Sequence, residues 1–303
     1  MIIMDPDKVK QLRRRTRRRR YREPKAPIKA ERELRGALNA VWVRYLFPAS
    51  EELKAMVQRG ATPAEFAEFI DRILARIEFD YGFHAEDIVA KWRLSVDEST
   101  RTAFNREAAH TLNVDALSIY DQPYIQDALA FASLEASQLI KTIPEKYLSE
   151  VAKAVADNFY GVPLPAGRNL LQQIQHIGSV TKNRAKLIAR DQTAKLNGAL
   201  QQARQKAIGV DKYIWRTVRD KAVVGNPSGL YPVGSKHHAN HYAMEGKMCR
   251  WDDPTVYSVD EGKTWLKRTG EMPKNHPKQD IQCRCHAEPV LDIEQILANV
   301  QVG

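Results

Sequence analysis

The segment Tyr213-Ile-Trp-Arg-Thr-Val218 decides the fold class, because its aromatic and β-branched residues favour a β-strand after a long stretch of helical pattern. A second stretch of the same kind, Thr255-Val-Tyr-Ser-Val259, follows it. Glycine, proline, asparagine and aspartate are frequent around both. We therefore predict an α+β protein: a mainly α-helical body over residues 31–209, then a compact, loop-rich α+β domain over residues 210–303. A terminal helix is expected from about Ile293 to Val300.

The helical body contains clear start and stop signals. Thr62-Pro63-Ala64-Glu65 combines an N-cap threonine, a proline at the first helical position and a glutamate three residues after the cap. Apolar residues then recur at helical spacing as far as Ile77, and Gly82 is predicted to end that helix.

Further helices are expected along the rest of this body. One covers Ile125 to Ile140, another follows Pro144, and a third begins at about Thr181 and ends at Gly209 as its C-cap. The segment Gly161-Val-Pro-Leu-Pro165 interrupts the pattern between the second and the third.

Composition restricts the class of protein. The chain has 303 residues, 43% of them hydrophobic and 28% charged, as in soluble globular proteins. The best candidate for a membrane-spanning segment, Ala37 to Phe47, carries Arg44 and is far shorter than the ~20 residues that cross a bilayer. We predict a soluble protein that does not contact a membrane.

The N-terminal segment is strongly basic. The formal net charge is +10, which favours an acidic partner, and arginine is concentrated near the N-terminus. We predict a disordered basic arm and linker over residues 1–30, which contacts nucleic acid or an acidic protein. Its arginines are Arg13, Arg14, Arg15, Arg17, Arg18, Arg19, Arg20 and Arg22. A twin-arginine export signal is rejected, because no apolar segment follows.

Cysteine usage points to a reducing compartment. Three cysteines cannot all pair within one chain, and Cys283 and Cys285 are too close in sequence to bridge each other comfortably. We expect no disulfide framework, which fits the bacterial cytoplasm.

The C-terminal third also carries several short sequence motifs that are rare and follow one another in a characteristic order. They are Trp215-Arg-Thr-Val-Arg-Asp220, Val223-Val-Gly-Asn-Pro-Ser-Gly-Leu-Tyr-Pro232, His238-Ala-Asn-His241, Glu245-Gly-Lys247, Trp251-Asp-Asp-Pro254 and Cys283-Arg-Cys-His286, with Arg184-Ala-Lys-Leu-Ile-Ala-Arg-Asp-Gln-Thr193 upstream. Within the second of them, Asn226-Pro-Ser-Gly229 predicts a turn. Together the motifs resemble the C-terminal domain of the Mu-F-like phage head morphogenesis proteins, also called minor head proteins. The resemblance covers roughly Asn183 to Asp292.

That resemblance implies a non-enzymatic minor head protein that acts in procapsid morphogenesis. It would lie in the virion, in the head interior or at the portal vertex, after assembly in the host cytoplasm. Its implied partners are the portal protein, head or scaffold proteins and packaged double-stranded DNA. The residues that match the family, here called the signature set, are Arg190, Asp191, Thr193, Trp215, Thr217, Asp220, Gly225, Asn226, Pro227, His241, Gly246, Lys247, Trp251, Cys283, Arg284 and Cys285.

Two chemical roles for these residues remain open at the level of sequence. Five residues are ligand types that zinc accepts: Cys283, Cys285, His286, His276 and His241, of which Cys283, Cys285 and His241 are the leading candidates. A simpler interpretation makes both cysteines small buried residues of a strand, with Arg284 on its other face. The histidines at 237, 238 and 241 lie near Asp220 and Glu245 in sequence and can support acid–base chemistry if the fold brings them together. No nucleophile elbow, phosphate loop or His-Glu-x-x-His motif is present, so we predict neither an enzyme nor a cofactor.

Two other functions are kept as alternatives. One is a phage-delivered or toxin-like enzyme that acts on host nucleic acid. The other is a DNA-binding protein that recognises no particular sequence, for which the basic arm would neutralise phosphates in a salt-dependent manner.

Overall fold

A computed structural model describes residues 2–4, 26–112, 123–233, 239–292, 295 and 300–302 of the chain. Within these residues there are five α-helices, followed by short strands, so the predicted α+β class is confirmed. The helices are α1 (Ile28–Val41), α2 (Phe47–Gln58), α3 (Pro63–Leu112), α4 (Pro123–Phe159) and α5 (Leu170–Ala207). None of the described helices is long and apolar enough to cross a membrane.

The start of α3 is the capping box that the sequence predicts. The backbone N–H of Thr62 donates to Glu65 Oε2 (2.7 Å), and the backbone N–H of Glu65 donates to Thr62 Oγ1 (3.3 Å). These bonds satisfy amide donors that have no partner within the helix. The bond from the Thr62 N–H, together with one from Arg59, holds the pKa of the Glu65 carboxyl down at about 2.

Three predicted helix boundaries are wrong. Helix α3 continues through Gly82, because Ala85, Val89 and Trp92 prolong its buried stripe and offset the roughly 1 kcal/mol that a helical glycine costs. Pro144 lies inside α4 instead of starting a new helix. Helix α5 begins at Leu170, where an Asn169 cap accepts a hydrogen bond from the backbone N–H of Gln172 (2.9 Å).

One compact unit comprises Ile28–Ser95 and Phe131–Gln192 and is helical. A π-helical turn, Trp42–Leu46, joins α1 to α2 and buries Trp42 and Tyr45. Trp42 packs edge-on against Tyr147 of α4, with ring centroids 5.5 Å apart. Edge-to-face aromatic pairs of this kind add to the burial that holds helices together.

The other unit comprises Met1–Pro27, Val96–Ala130 and Thr193–Gly303. Its main sheet has the order β3-β2-β6, with β2 (Lys212–Arg216) between β3 (Met248–Arg250) and β6 (His286–Pro289), and both pairings are antiparallel. A hairpin of β4 (Val256–Tyr257) and β5 (Leu266–Lys267) forms a second sheet. The unit therefore includes the C-terminal part of α5 as well as the predicted terminal domain.

A third, parallel pair joins β1 (Ile2–Met4) to β7 (Val300–Val302). Strand β1 and the first turn of α1 fall within the residues that the sequence assigned to the arm. All eight arm arginines lie outside the described residues. The predicted terminal helix is also largely outside them, and Val300 belongs to a strand.

Two glycines have a structural role in the C-terminal unit. Gly209 follows the end of α5 at Ala207, and its φ of +79° provides the left-handed cap that the sequence predicts. Further up the same helix, a Cβ at Gly198 would lie 2.8 Å from Lys278 Cβ and 3.3 Å from the carbonyl oxygen of Pro277. The loop that precedes β6 therefore rests directly on the backbone of α5.

Candidate functional site

The centre of the C-terminal unit is an aromatic core built on β2. Because side chains alternate along a strand, Tyr213 and Trp215 both point to one face and are fully buried there. Trp251 stacks against Tyr213 with ring centroids 4.2 Å apart, and Met244 fills the space beside them. Cys283 and Cys285 belong to the same core.

A glutamine connects this core to α5. Gln205 accepts a hydrogen bond from Trp251 Nε1 (3.0 Å) and donates one from Nε2 to the carbonyl oxygen of Ala287 in β6 (3.1 Å). Gln205 is fully buried, so both of its polar ends need partners. The bonds fix the sheet against the helix at one point, and the sequence analysis did not single this residue out.

His241, Cys283 and Cys285 meet in this core. His241 Nδ1 lies 3.4 Å from Cys283 Sγ and 3.5 Å from Cys285 Sγ. All three side chains are buried, and their potential ligand atoms lie within 4.8 Å of one another. Three of the five candidate metal residues are thus brought together, whereas His276 and His286 are not part of the group. No other such cluster occurs in the part of the chain described here.

Two further groups orient this cluster. Asp280 Oδ2 lies 3.0 Å from His241 Nε2, on the side of the ring that faces away from the sulfurs. The other carboxylate oxygen accepts a hydrogen bond from Asn275 Nδ2 (2.6 Å), which holds Asp280 in place. The backbone N–H of Lys278 donates to Cys283 Sγ (3.3 Å).

The cluster shifts the proton affinities of its members in different directions. A hydrogen bond with Cys285 holds the pKa of the Cys283 thiol well below its usual value, and His241 acts in the same direction. The same hydrogen bond between the two sulfur groups, together with burial, raises the pKa of Cys285. Burial by itself would lower the pKa of His241, but hydrogen bonds to Asp280 and Cys283 outweigh it and raise that pKa to about 9.

The predicted strand position of the two cysteines is wrong in one respect. Cys283 and Cys285 lie just before β6, in an extended segment without ladder pairing. The predicted alternation does hold, because Arg284 points away from the core and forms an ion pair with Asp220.

The third cysteine has a different environment. Cys249 lies on β3 opposite Tyr213 and accepts a hydrogen bond from Arg268 Nη2 (3.1 Å). The buried guanidinium of Arg268 also donates to the carbonyl oxygens of Pro273 (2.7 Å) and Asn275 (2.9 Å). The Arg268 side chain thus holds this loop in place through its hydrogen bonds. Sequence patterns did not reveal this role.

His276 is buried in the same region without joining the sulfur cluster. Its Nδ1 lies 2.9 Å from the hydroxyl of Tyr213, and its ring packs against Trp251. Burial is the largest of the effects that lower its pKa to about 4, and the positive charges of Arg268 and Lys206 act in the same direction. His276 is therefore a neutral hydrogen-bonding core residue.

Two polar members of the signature set, Thr217 and Lys247, contact residues outside the set. Glu245 Oε2 accepts hydrogen bonds from the backbone N–H of Thr217 (2.7 Å) and from its hydroxyl (2.8 Å). Glu245 Oε1 accepts a further bond from Arg219 Nη2 (2.7 Å). Lys247 places its ammonium 4.3 Å from the ring centroid of Tyr257.

A tight turn accounts for three more members. Gly225 has a φ of +86°, and a Cβ there would lie 1.9 Å from Asn240 Oδ1. Asn226 donates from Nδ2 to the carbonyl oxygen of Asp220 (3.1 Å) and accepts from the backbone N–H of Ser228 (3.1 Å), with Pro227 between them. This is the turn that the sequence predicts.

The remaining members are distributed as follows. Gly246 (φ +77°) places its N–H on the carbonyl oxygen of Trp215 (2.9 Å). Arg190, Asp191 and Thr193 lie on α5, the first two in the helical unit and Thr193 in the C-terminal unit. The histidines at 237 and 238 lie outside the described residues, so the expected histidine group is represented here by His241 alone.

Comparison with known proteins gives a limited result. No protein-family model matches the chain, and no solved structure matches it. An uncharacterized protein of Haemophilus influenzae (strain ATCC 51907 / DSM 11121 / KW20 / Rd) is 29% identical over 237 residues, which cover 77% of this chain. The match covers 46% of that relative, so the chain spans about half the length of the curated protein that it resembles.

Proposed function

We propose that this protein is a minor head component of a phage-like particle and acts in head morphogenesis without catalysing a reaction. The proposal starts from the short Mu-F-like sequence motifs of the C-terminal third. One observation carries it. In the C-terminal unit, the signature residues whose contacts are described bond to or pack against one another and the loops around them. This is the pattern expected of residues that maintain a fold.

Asp220 illustrates the point. An enzymatic role would need this carboxylate aimed at a substrate, but both of its oxygens are engaged by Arg284, and one also accepts from the backbone N–H of Ala222 (3.0 Å). His241 is equally engaged, since its two ring nitrogens face Asp280 and the cysteine sulfurs. Such mutual satisfaction supports a structural role for both residues.

Contact with the portal vertex and with packaged DNA is proposed from the arginine block. Eight arginines between Arg13 and Arg22 give a dense positive charge that attracts phosphates or an acidic protein surface. In the virion, this segment would lie close to the genome or to the portal.

The test is co-purification of the tagged chain with the portal and major capsid proteins of the same phage. Deletion of residues 1–22 would also remove β1, so the sharper variant replaces the eight arginines with glutamine and keeps Ile2–Met4. A matched variant with lysine at the same positions preserves the charge.

We expect the wild type and the lysine variant to recover portal protein or heads, and the glutamine variant to recover much less. Recovery of nucleic acid alone, released at moderate salt, would contradict a head function and favour a simple DNA-binding protein. Asp220→Asn distinguishes a head protein from the enzymatic alternative. A head protein with this substitution should enter heads in proportion to the fraction of the chain that still folds. An enzyme would lose an activity on nucleic acid while incorporation survived.

A further inference from the structure

We propose that His241, Cys283 and Cys285 bind one zinc ion, through the Nδ1 atom of the imidazole and the two thiolate sulfurs, with water as the fourth ligand. Neither the resemblance nor the proposed function implies this site, and it can exist whether or not the chain is a head protein.

The two nitrogen–sulfur distances are those of a tetrahedral zinc site. Zinc binds cysteine sulfur at about 2.3 Å and histidine nitrogen at about 2.0–2.1 Å, so tetrahedral angles separate nitrogen from sulfur by about 3.5 Å. The observed distances from His241 Nδ1 to the two sulfurs are 3.4 Å and 3.5 Å. The imidazole nitrogen therefore already lies at the distance from both sulfurs that a shared zinc ion requires.

The surroundings also match a zinc site. A zinc-bound histidine usually donates its other N–H to a carboxylate, which fixes the ring and raises its basicity. Asp280 occupies this position, 3.0 Å from His241 Nε2, and Asn275 holds it there. The backbone N–H of Lys278, directed at Cys283 Sγ, stabilises a thiolate in the same way.

The choice of metal follows from the ligands. Two thiolates and one imidazole are soft or borderline donors, which favour zinc over magnesium or calcium. Two bound thiolates also neutralise the charge of a divalent ion inside the protein.

A zinc ion at this site would cross-link two segments that are far apart in the chain. His241 precedes a short 3-10 turn (Tyr242–Met244), and the cysteines precede β6, more than 40 residues later in the chain. Both segments belong to a unit whose strands have two to five residues. Zinc would join two loops that regular secondary structure holds only weakly, and binding energy would become folding energy.

The first experiment measures metal in the 303-residue chain, produced without a polyhistidine tag under reducing conditions. We expect about one zinc per chain after dialysis. Cobalt(II) reconstitution of chelator-treated protein should give a near-ultraviolet sulfur-to-cobalt charge-transfer band and the intense visible absorption of a tetrahedral ion. Chelation should lower the midpoint of thermal unfolding, and added zinc should restore it.

Variants locate the site. Cys283→Ser, Cys285→Ser and His241→Gln should each reduce bound zinc to under about a tenth of an equivalent and weaken the cobalt band. Cys249→Ala is the matched control, since it removes the remaining buried cysteine of the same core and leaves the cluster intact. It should keep full zinc stoichiometry.

Asp280→Asn tests the positioning of His241. It should weaken zinc affinity by about tenfold or more in chelator competition while stoichiometry at saturating zinc is unchanged. If Asp280 only supported the fold, its replacement would not change the affinity for zinc while the zinc stoichiometry stayed the same.

Three results would overturn the proposal. One is wild-type protein that stays metal-free after growth and refolding with zinc and gives no cobalt charge-transfer band. Another is an equal loss of zinc from Cys249→Ala and from Cys283→Ser. The third is a Cys283–Cys285 disulfide in protein isolated under reducing conditions. If a ligand variant fails to fold, the wild-type cobalt spectrum and the recovery after chelation still decide the question.

Discussion

Arg284 and Asp220, 64 residues apart in the chain, form a two-pronged ion pair with distances of 2.7 Å and 2.6 Å. Arg284 stands between the two cysteines of the candidate zinc site but points away from them. The pair therefore connects the outer side of the Cys-Arg-Cys segment to the loop that follows β2. Both side chains are more than a third exposed, which limits the stability that the pair contributes.

We predict that Arg284→Lys lowers the free energy of unfolding by no more than about 1 kcal/mol, because a lysine cannot reproduce both bonds and water screens the pair. Denaturant titration of the wild type and the variant measures the difference. The reversed pair, Asp220→Arg with Arg284→Asp, should recover part of the loss. A loss several times larger would show that Arg284 has a role beyond this pair.

The buried arginine of α5 should behave very differently. Arg204 is 1% exposed, donates to Thr100 Oγ1 (2.6 Å) and forms an ion pair with Asp97 on α3. Arg204→Ala leaves a buried carboxylate without its partner, so we expect a loss of about 3–5 kcal/mol in the free energy of unfolding. Arg204→Met combined with Asp97→Leu should cost much less, which denaturant titration of both variants can establish.

Backbone geometry predicts a contrast between two glycines. Gly225→Ala should destabilise the C-terminal unit by more than about 2 kcal/mol, since it adds a clash with Asn240 to the strain of a positive φ. Gly246→Ala has a similar φ but no contact shorter than 3.9 Å, so we expect about 1–2 kcal/mol. Equal losses in thermal unfolding would contradict the role of the clash.

His276 should make stability depend on pH. Its folded pKa, about 4, lies below the 6.5 of an unfolded histidine, so the unfolded chain binds the proton more readily. Stability from this residue is complete above pH 6.5 and is lost as pH falls towards 4, by as much as about 3 kcal/mol. His276→Gln should flatten the denaturant-derived stability curve across this window. An unchanged slope would show that another group titrates.

Several local signals in the sequence were sufficient to predict the structure. The capping box at Thr62 and Glu65, the cap at Gly209 and the turn at Asn226 depend on residues within a few positions of one another, and the structure confirms each of them. The boundaries at Gly82 and Pro144 failed for a physical reason. Tertiary burial on either side of these residues outweighs the local cost of a glycine or a proline in a helix.

The candidate site was predictable only in part. The two cysteines and His241 were recognised as ligand types, but nothing in the spacing shows that His241 rather than His276 would reach the sulfurs. Asp280 and Arg268 were missed, because each acts through contacts with distant segments and stands in no recognisable motif. Such long-range partners require the folded coordinates.

The close approach at Gly198 has an evolutionary consequence. The loop through Pro277 and Lys278 leaves no space for a side chain on this turn of α5, and the same loop carries Asp280 to His241. A homologue with a larger residue at this position must have moved the loop, and with it the carboxylate. Positions 198, 278 and 280 should therefore change together among relatives, and a lineage that loses the glycine should also lose the His–Cys–Cys cluster.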